Sequence, residues 1–321
     1  MKMRNRVYGI IGIKSSMSNW NADFTGRPKT LGNGEIYGSD KAVKYPMRQL
    51  WRNQGDKVFS IRTFKQTEEK DNNSIKKLHP KSLSERYTEL FNEDARRQST
   101  TTVLKNLFST VDIMNFGVTF AEAGQNISIT GSVQIMQGIN KYKNSQIIVG
   151  DIMCPFRNSK SDEAEATTLG TTVLTDEAHY FYSFVVNPGN YEDYIGLIEG
   201  FEGYTTDAYE KFKTASRISA TVYNSVSKVG CENEFALFVE CKCGEDAYLP
   251  ELAQFVLFSK GEEKCCIDIT NLSFLNQNKI RSAIEQVEIY YNPYTTEIKE
   301  SIQAKKYNIF TKEEYRESTY V

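Results

Sequence analysis

The 321-residue chain has no run of 18 apolar residues, so no segment reads as a membrane-spanning helix. Its start, MKMRNRVYGIIGIK, lacks the apolar length and the small-residue cleavage site of a secretory signal and reads as a charged lead into a short strand. Histidine occurs only twice, at His79 and His179. Neither stands in a triad or a metal-ligand spacing, which argues against a histidine-based hydrolase. His79-Pro80 reads as linker and His179 as a core or interface residue. Six cysteines in a chain of this length do not make a disulfide framework. Cys241, Cys243, Cys265 and Cys266 could meet around zinc, but C-x-C…C-C is not a standard finger, and cysteine is commonly buried. No metal and no cofactor is expected. The Gly-Asn-Gly at 32–34 is too short for a nucleotide fingerprint and reads as a turn. These absences together describe a soluble, cytoplasmic protein with no membrane partner.

What is present is enough to fold. Apolar residues make up 40% and aromatics 12%, sufficient for a sizeable core. The formal charge is only −2, yet residues 1–65 carry 13 Lys or Arg against 4 Asp or Glu, a local excess of +9. A local field of this kind suits an anionic partner even in a near-neutral chain. Its focus is the stretch GRPKTLGNGEIYGSDKAVKYPMRQLWR, in which a Gly-rich loop carries Arg27 and Lys29. Ser39 or Asp40 offers a helix N-cap, and Lys41, Lys44, Arg48 and Arg52 then recur at i, i+3, i+7 and i+11, on one helical face. Val43, Met47, Leu50 and Trp51 lie on other sides, toward a core. Such a stripe is either a solvated face or a cradle for phosphates. Pro46 either kinks the helix or begins it.

The remaining chain alternates regular pieces with excursions. Val7–Ile13 reads as a buried first strand, and residues 66–80 as an exposed linker. Ser82 and Glu85 form a capping box for a helix with Leu83, Tyr87, Leu90 and Phe91 on one stripe, and a second helix spans 102–108. Residues 115–139 read as a hairpin turning at Glu122–Gln125; its second strand, 127–137, alternates as in a sheet covered on one side, with Gln134 and Met136 on the polar face. Residues 151–178 are polar and acidic, a long excursion whose ends carry Phe156, Arg157 and Leu169. Tyr180–Asn187 returns as a strand, Asp207 caps a helix running to 227 with Val222 and Val226 in its buried stripe, and 235–243 is a further strand. The tail from 245 has no evident order. Stripped of excursions, the order is β-α-β-β-α-β, an α+β, ferredoxin-like (RRM-like) sheet with helices on one face. The aromatic RNP signature of RNA-recognition modules is absent.

Three pieces in this order, NRVYGIIGIKSSMSNWNADFTGRPKT…GSDKAVKYPMRQLW, FGVTFAEAGQNISITGSVQI and TLGTTVLTDEAHYFYSFVVNP, resemble the backbone subunit of type I CRISPR surveillance complexes, the Cascade Cas-seven family, most like subtype I-B. The resemblance implies a palm in pieces (1–52, 113–150 and 179–321), a helical finger insertion (53–112) and a thumb excursion (151–178). It implies a non-catalytic scaffold that binds CRISPR guide RNA, stacks with other copies of itself in a filament, and presents the guide to complementary target DNA in antiviral defence. Other Cascade subunits and a recruited nuclease would be partners. Arg27, Lys29, Lys41, Lys44, Arg48, Arg52, Gln134 and Met136 would then touch RNA, and Phe156, Arg157 and Leu169 would wedge at a nucleotide or grip a neighbour. The alternative is a metal-dependent endoribonuclease of the type III backbone kind acting on target RNA through Asp23, whose flanking residues do not match that loop; by default Asp23 is a turn residue.

Overall fold

The first apolar run forms β1 (Val7–Ser18). Its side chains alternate between two cores: Val7, Ile11 and Ile13 enter one, Tyr8 and Ile10 the other. This strand is the centre of the molecule. The computed structural model describes residues 1–68, 76–154, 168–245 and 247–315.

After the short β2 (Tyr37–Gly38) comes α1 (Asp40–Asn53), capped by Ser39, whose hydroxyl accepts from Ala42 N at 3.3 Å. Asp40 in the first turn and Arg52 in the last complement the helix dipole. Pro46 lies inside the helix, so the whole basic stripe is helical. The proline withholds one backbone donor, a cost of about 3 kcal/mol. Burial of Val43, Met47, Leu50 and Trp51, at roughly 1.5–3 kcal/mol for each such side chain, outweighs it.

Residues expected as a linker instead pair as an antiparallel ribbon of β3 (Phe64–Glu68) and β4 (Lys76–Pro80). α2 (Leu83–Phe91) has the Ser82–Glu85 capping box read from the sequence, and α3 (Thr100–Phe108) and α4 (Val111–Phe116) follow. The hairpin turns where expected, with Gln125 N donating to Glu122 O at 3.0 Å. Only β5 (Gly117–Phe120) and β6 (Ile127–Thr130) belong to it, as a separate two-stranded sheet. The chain breaks at Gly131–Ser132, and β7 (Val133–Ile135) and β8 (Gly138–Asn140) pair with a different strand. That partner is reached through β9 (Ile147–Cys154), which forms a ribbon with the outer half of the 19-residue β10 (Thr168–Val186); the inner half of β10 lies along β1.

α5 (Thr206–Ile218) is capped by Thr205 rather than Asp207 and ends at 218 rather than 227. Val222 and Val226, expected in its buried stripe, are 48% and 98% exposed. Gly and polar residues around 223–230 form turns into β11 (Cys231–Cys241). The tail is ordered by pairing with distant strands. β12 (Leu257–Lys260), β13 (Cys265–Asp268) and β15 (Thr296–Lys299) make a three-stranded sheet, while β14 (Ile284–Tyr291) and β16 (Lys305–Asn308) extend the main one.

Among the described residues the main sheet runs β16–β14–β11–β1–β10–β8–β2, with β7 and β9 also on β10. The helices and Trp51, Phe116, Phe184 and Phe212 cover one face. The other face was expected bare. Instead Ile10, Phe181, Phe235, Leu237 and Val239 are buried there under Val256, Ile267, Leu272 and Leu275 of the tail.

Candidate nucleic-acid interface

The loop after β1 is fastened at its root. Trp20, fully buried, donates from Nε1 to the Tyr182 hydroxyl at 2.5 Å, and the Lys228 ammonium donates to the Asn19 and Trp20 carbonyls. Burial lowers the Lys228 amine to about 8. Asn21 Oδ1 accepts from Ser39 N at 3.0 Å and Ser39 Oγ at 2.6 Å, tying the loop to the cap of α1. The strand pair beside this cap is tight, because a Cβ on Gly138 would lie 2.4 Å from the Tyr182 ring.

Beyond the root, Asp23 closes a turn. Its Oδ1 accepts from Thr25 Oγ1 and Thr25 N, both at 2.7 Å, and from Arg27 N at 3.0 Å. The Thr25 hydroxyl is the chief reason its carboxyl sits below the ordinary range. Asp23 is thus the turn residue its position suggests, and it joins no metal-competent group among the described residues. Arg27 and Phe24 are exposed on this turn and Lys29 is half-buried behind it. Phe24, wholly exposed, was passed over in the sequence; an aromatic residue in an otherwise polar Gly-containing loop was the available signal.

The basic stripe of α1 divides into two pairs. Lys44 bonds Asp40 at 2.9 Å and lies over the Phe116 ring at 5.2 Å. Burial raises the Asp40 carboxyl, but Lys44 and Gln137 more than offset this and leave it below its usual range. Arg48 lies over the same ring at 5.4 Å, with Nε 3.4 Å from Asp112 Oδ2. Asp112 is fully buried and accepts from Phe59 N at 2.7 Å and Ser60 N at 2.8 Å. Lys44 and Arg48 therefore fasten α1 to the segments around Phe116 and Phe59. Lys41 and Arg52 are exposed, without an ion-pair partner among the described residues, and about 16 Å apart along the axis.

Gln134 bonds Gly131 O at 2.8 Å, and Met136 is 54% exposed. Both line a largely apolar cleft of about 440 Å³ with Tyr8, Ser183 and Leu249. The Gln137 amide helps hold the Asp40 carboxyl down, which places this segment beside the start of α1. The loop that carries Arg27 and Lys29 is thus tied to the α1 N-cap beside Lys41. Gln134 and Met136 line a cleft on the tail-covered side of the sheet, and Arg52 lies at the far end of α1. Phe156 and Arg157 lie outside the described residues. The backbone of Leu169 pairs with Met153 in the β9–β10 ribbon, where Ile148, Val149, Ile152 and Met153 are exposed.

The four cysteines considered for zinc do not converge among the described residues: Cys241 is buried in the second core and Cys243 is exposed. His79 is exposed on β4, opposite Lys65. His179 is fully buried between the carboxylates of Glu177 and Glu234.

The fold is shared with known assemblies. A chain described as "CRISPR RNA-guided surveillance complex, pre-nicking" is similar at TM-score 0.52 and 13% identity, covering 94% of this chain and 96% of that one. Another, "CRISPR RNA-guided surveillance complex", is similar at TM-score 0.48 and 12% identity over 92% and 95%. The first likeness defines the class: a mixed α+β chain with the fold of a chain from such a complex. Residues 5–292 match the family described as CRISPR-associated protein Cas7, and the chain belongs to that family. No curated protein matches the sequence.

Proposed function

We propose that the protein is a non-catalytic backbone subunit that holds CRISPR guide RNA by its phosphates, stacks with further copies along it, and presents its bases to complementary target DNA. The carrying observation is the exposed set Lys41, Arg52 and Arg27, without an ion-pair partner among the described residues, on a chain that belongs to the Cas7 family. Phosphate contacts would supply affinity rather than sequence choice. In this reading β11–β1–β10 with β7 and β8 is a ferredoxin-like palm whose helices are α1 and α5. The segment from β3 to α4 is the finger, and the β9–β10 ribbon is the thumb. Lys29, Gln134 and Met136 border the RNA path; Lys44 and Arg48 reach it only from behind their ion pairs. Subtype I-B, a recruited nuclease and a cytoplasmic location complete the proposal.

The test is filter binding of unrelated guide RNAs over a salt series. Each phosphate contact removed lowers the log–log salt slope by about 0.7, so Lys41→Ala with Arg52→Ala should flatten it by about 1.4 on every guide. An unchanged slope would sink the proposal. Ladder-like cleavage of complementary RNA with magnesium, abolished by Asp23→Ala, would replace it with the endonuclease reading.

A further inference from the structure

On the face of the sheet away from the helices, four chemistry-bearing side chains converge from three strands. Glu177 and His179 are two apart on β10 and so share a face; Cys265 comes from β13 and Glu234 from β11. His179 Nε2 is 3.1 Å from Glu177 Oε1, and the ligand atoms of Glu177, His179 and Cys265 all lie within 4.8 Å of one another. His179 Nδ1 is 2.8 Å from Glu234 Oε2, both groups being buried. The imidazole is further fixed by stacking on Phe258 at a centroid distance of 3.9 Å.

Glu234 reaches this face through a defect in the sheet. Opposite β1, Gly12 pairs with Phe235 and Ile13 with Asn233, so residue 234 is the extra residue of a bulge. Asn233 faces the helices, bonding Ala220 N at 2.7 Å and Ser216 O at 2.8 Å. The bulge sends the next side chain to His179 instead, the re-aiming that bulges perform beside functional sites.

We propose that Glu177, His179 and Cys265 form a zinc site, with Glu234 holding the histidine. The ligand types are those zinc takes, one sulfur, one nitrogen and one oxygen, with a carboxylate on the far ring nitrogen fixing tautomer and orientation. Tetrahedral zinc separates its nitrogen and oxygen ligands by about 3.3 Å, close to the spacing already present. Glu177 and Cys265 are partly exposed, which leaves room for water as the fourth ligand. Lys260 pairs with the other oxygen of Glu177. Its charge and the two of the metal balance the thiolate and both carboxylates. On binding, the Cys265 thiol and the imidazolium Nε2–H each lose a proton to solvent, so that Nε2 offers its lone pair while Nδ1–H still donates to Glu234. Without metal, the same groups satisfy one another as an imidazolium between two carboxylates. The metal would clamp the three-stranded sheet of the tail to the root of the β9–β10 ribbon.

The test uses the full chain, stripped with chelator and titrated with Zn²⁺ under native mass spectrometry and calorimetry, with melting curves for every variant. One zinc per chain is expected, with a rise in melting temperature. Cys265→Ser and Glu234→Gln should each weaken binding roughly tenfold or more, and Cys243→Ser, outside the cluster, should not. Co²⁺ should give a thiolate charge-transfer band that Cys265→Ser removes. Should Cys265→Ser fail to fold, Glu177→Gln and the wild-type cobalt spectrum decide instead. No bound zinc, no thiolate band, or affinity indifferent to both Cys265→Ser and Glu177→Gln would overturn the assignment.

Discussion

Arg48 and Asp112 show how a charge can look like a binding residue and be a structural one. The buried carboxylate of Asp112 serves two backbone N–H groups and the Arg48 guanidinium. Removing it leaves the buried Phe59 N–H unsatisfied and deprives the part-buried Ser60 N–H and Arg48 of their partner, a loss of about 3 kcal/mol. Asp112→Ala should therefore unfold at markedly lower urea. Lys41→Ala and Arg52→Ala, at exposed positions, should move stability by less than about 0.5 kcal/mol. Equilibrium denaturation of these variants separates fastening from binding before any RNA is added. A pH effect belongs to this scale too. Burial raises Glu89, but Lys81, Arg86 and Thr63 together hold it down to about 2. Its ionised form is favoured by the fold, so its contribution is present above the ordinary value near 4.5 and is lost as pH falls toward 2. With the pair largely screened by solvent, Glu89→Gln should cost about 0.5 kcal/mol at pH 7 and nothing near pH 2, read from unfolding curves across that range.

Among the elements, the starts of α1 and α2 were legible because caps and apolar spacing are local, whereas α5 is capped by Thr205 and not Asp207. Ser39, Ser82 with Glu85, and the stripe through Val43, Met47 and Leu50 needed nothing beyond neighbouring residues. Strand partners were not legible. Residues 127–137 alternate without interruption in sequence, yet they divide at Gly131 between two sheets, because register depends on which distant strand is available. The end of α5 was misplaced for a similar reason: Val222 and Val226 continue the helical spacing but have no core to meet. In the candidate interface Lys41 and Arg52 could be read from spacing, whereas the Asp112 anchor there and the Glu234 bulge at the His179 cluster could not, since both arise from long-range pairing. One such dependence is at Gly138. A methyl group there would press on Tyr182, so Gly138→Ala should cost about 1–3 kcal/mol as overpacking, measurable by denaturant titration.

At the scale of the whole molecule, one sheet separates two cores, and the second is built largely from the tail that sequence left without order. Phe181, Phe235, Leu237 and Val239 face it from the sheet. A chain ending at residue 243 would leave them open to water, a patch well beyond what monomers tolerate. Such a truncation should aggregate or bind a hydrophobic dye strongly, as size-exclusion chromatography and fluorescence would show; a soluble, cooperatively melting fragment would mean that the helical face alone sustains the fold.

β10 spans 19 residues without a break, about 60 Å of continuous strand running from the outer ribbon to the centre of the sheet. It is a cantilever: its inner half is clamped between β1 and β7–β8, and its outer half pairs with β9 and is held at Val173 by the Asn19 amide. Because side chains alternate along one unbroken strand, the ribbon's two faces are phase-locked to the two cores. Adding or deleting a single residue between 170 and 178 would invert the ribbon while the sheet stayed still. Two residues would restore its sense. Evolution along this arm is therefore constrained by parity more than by length.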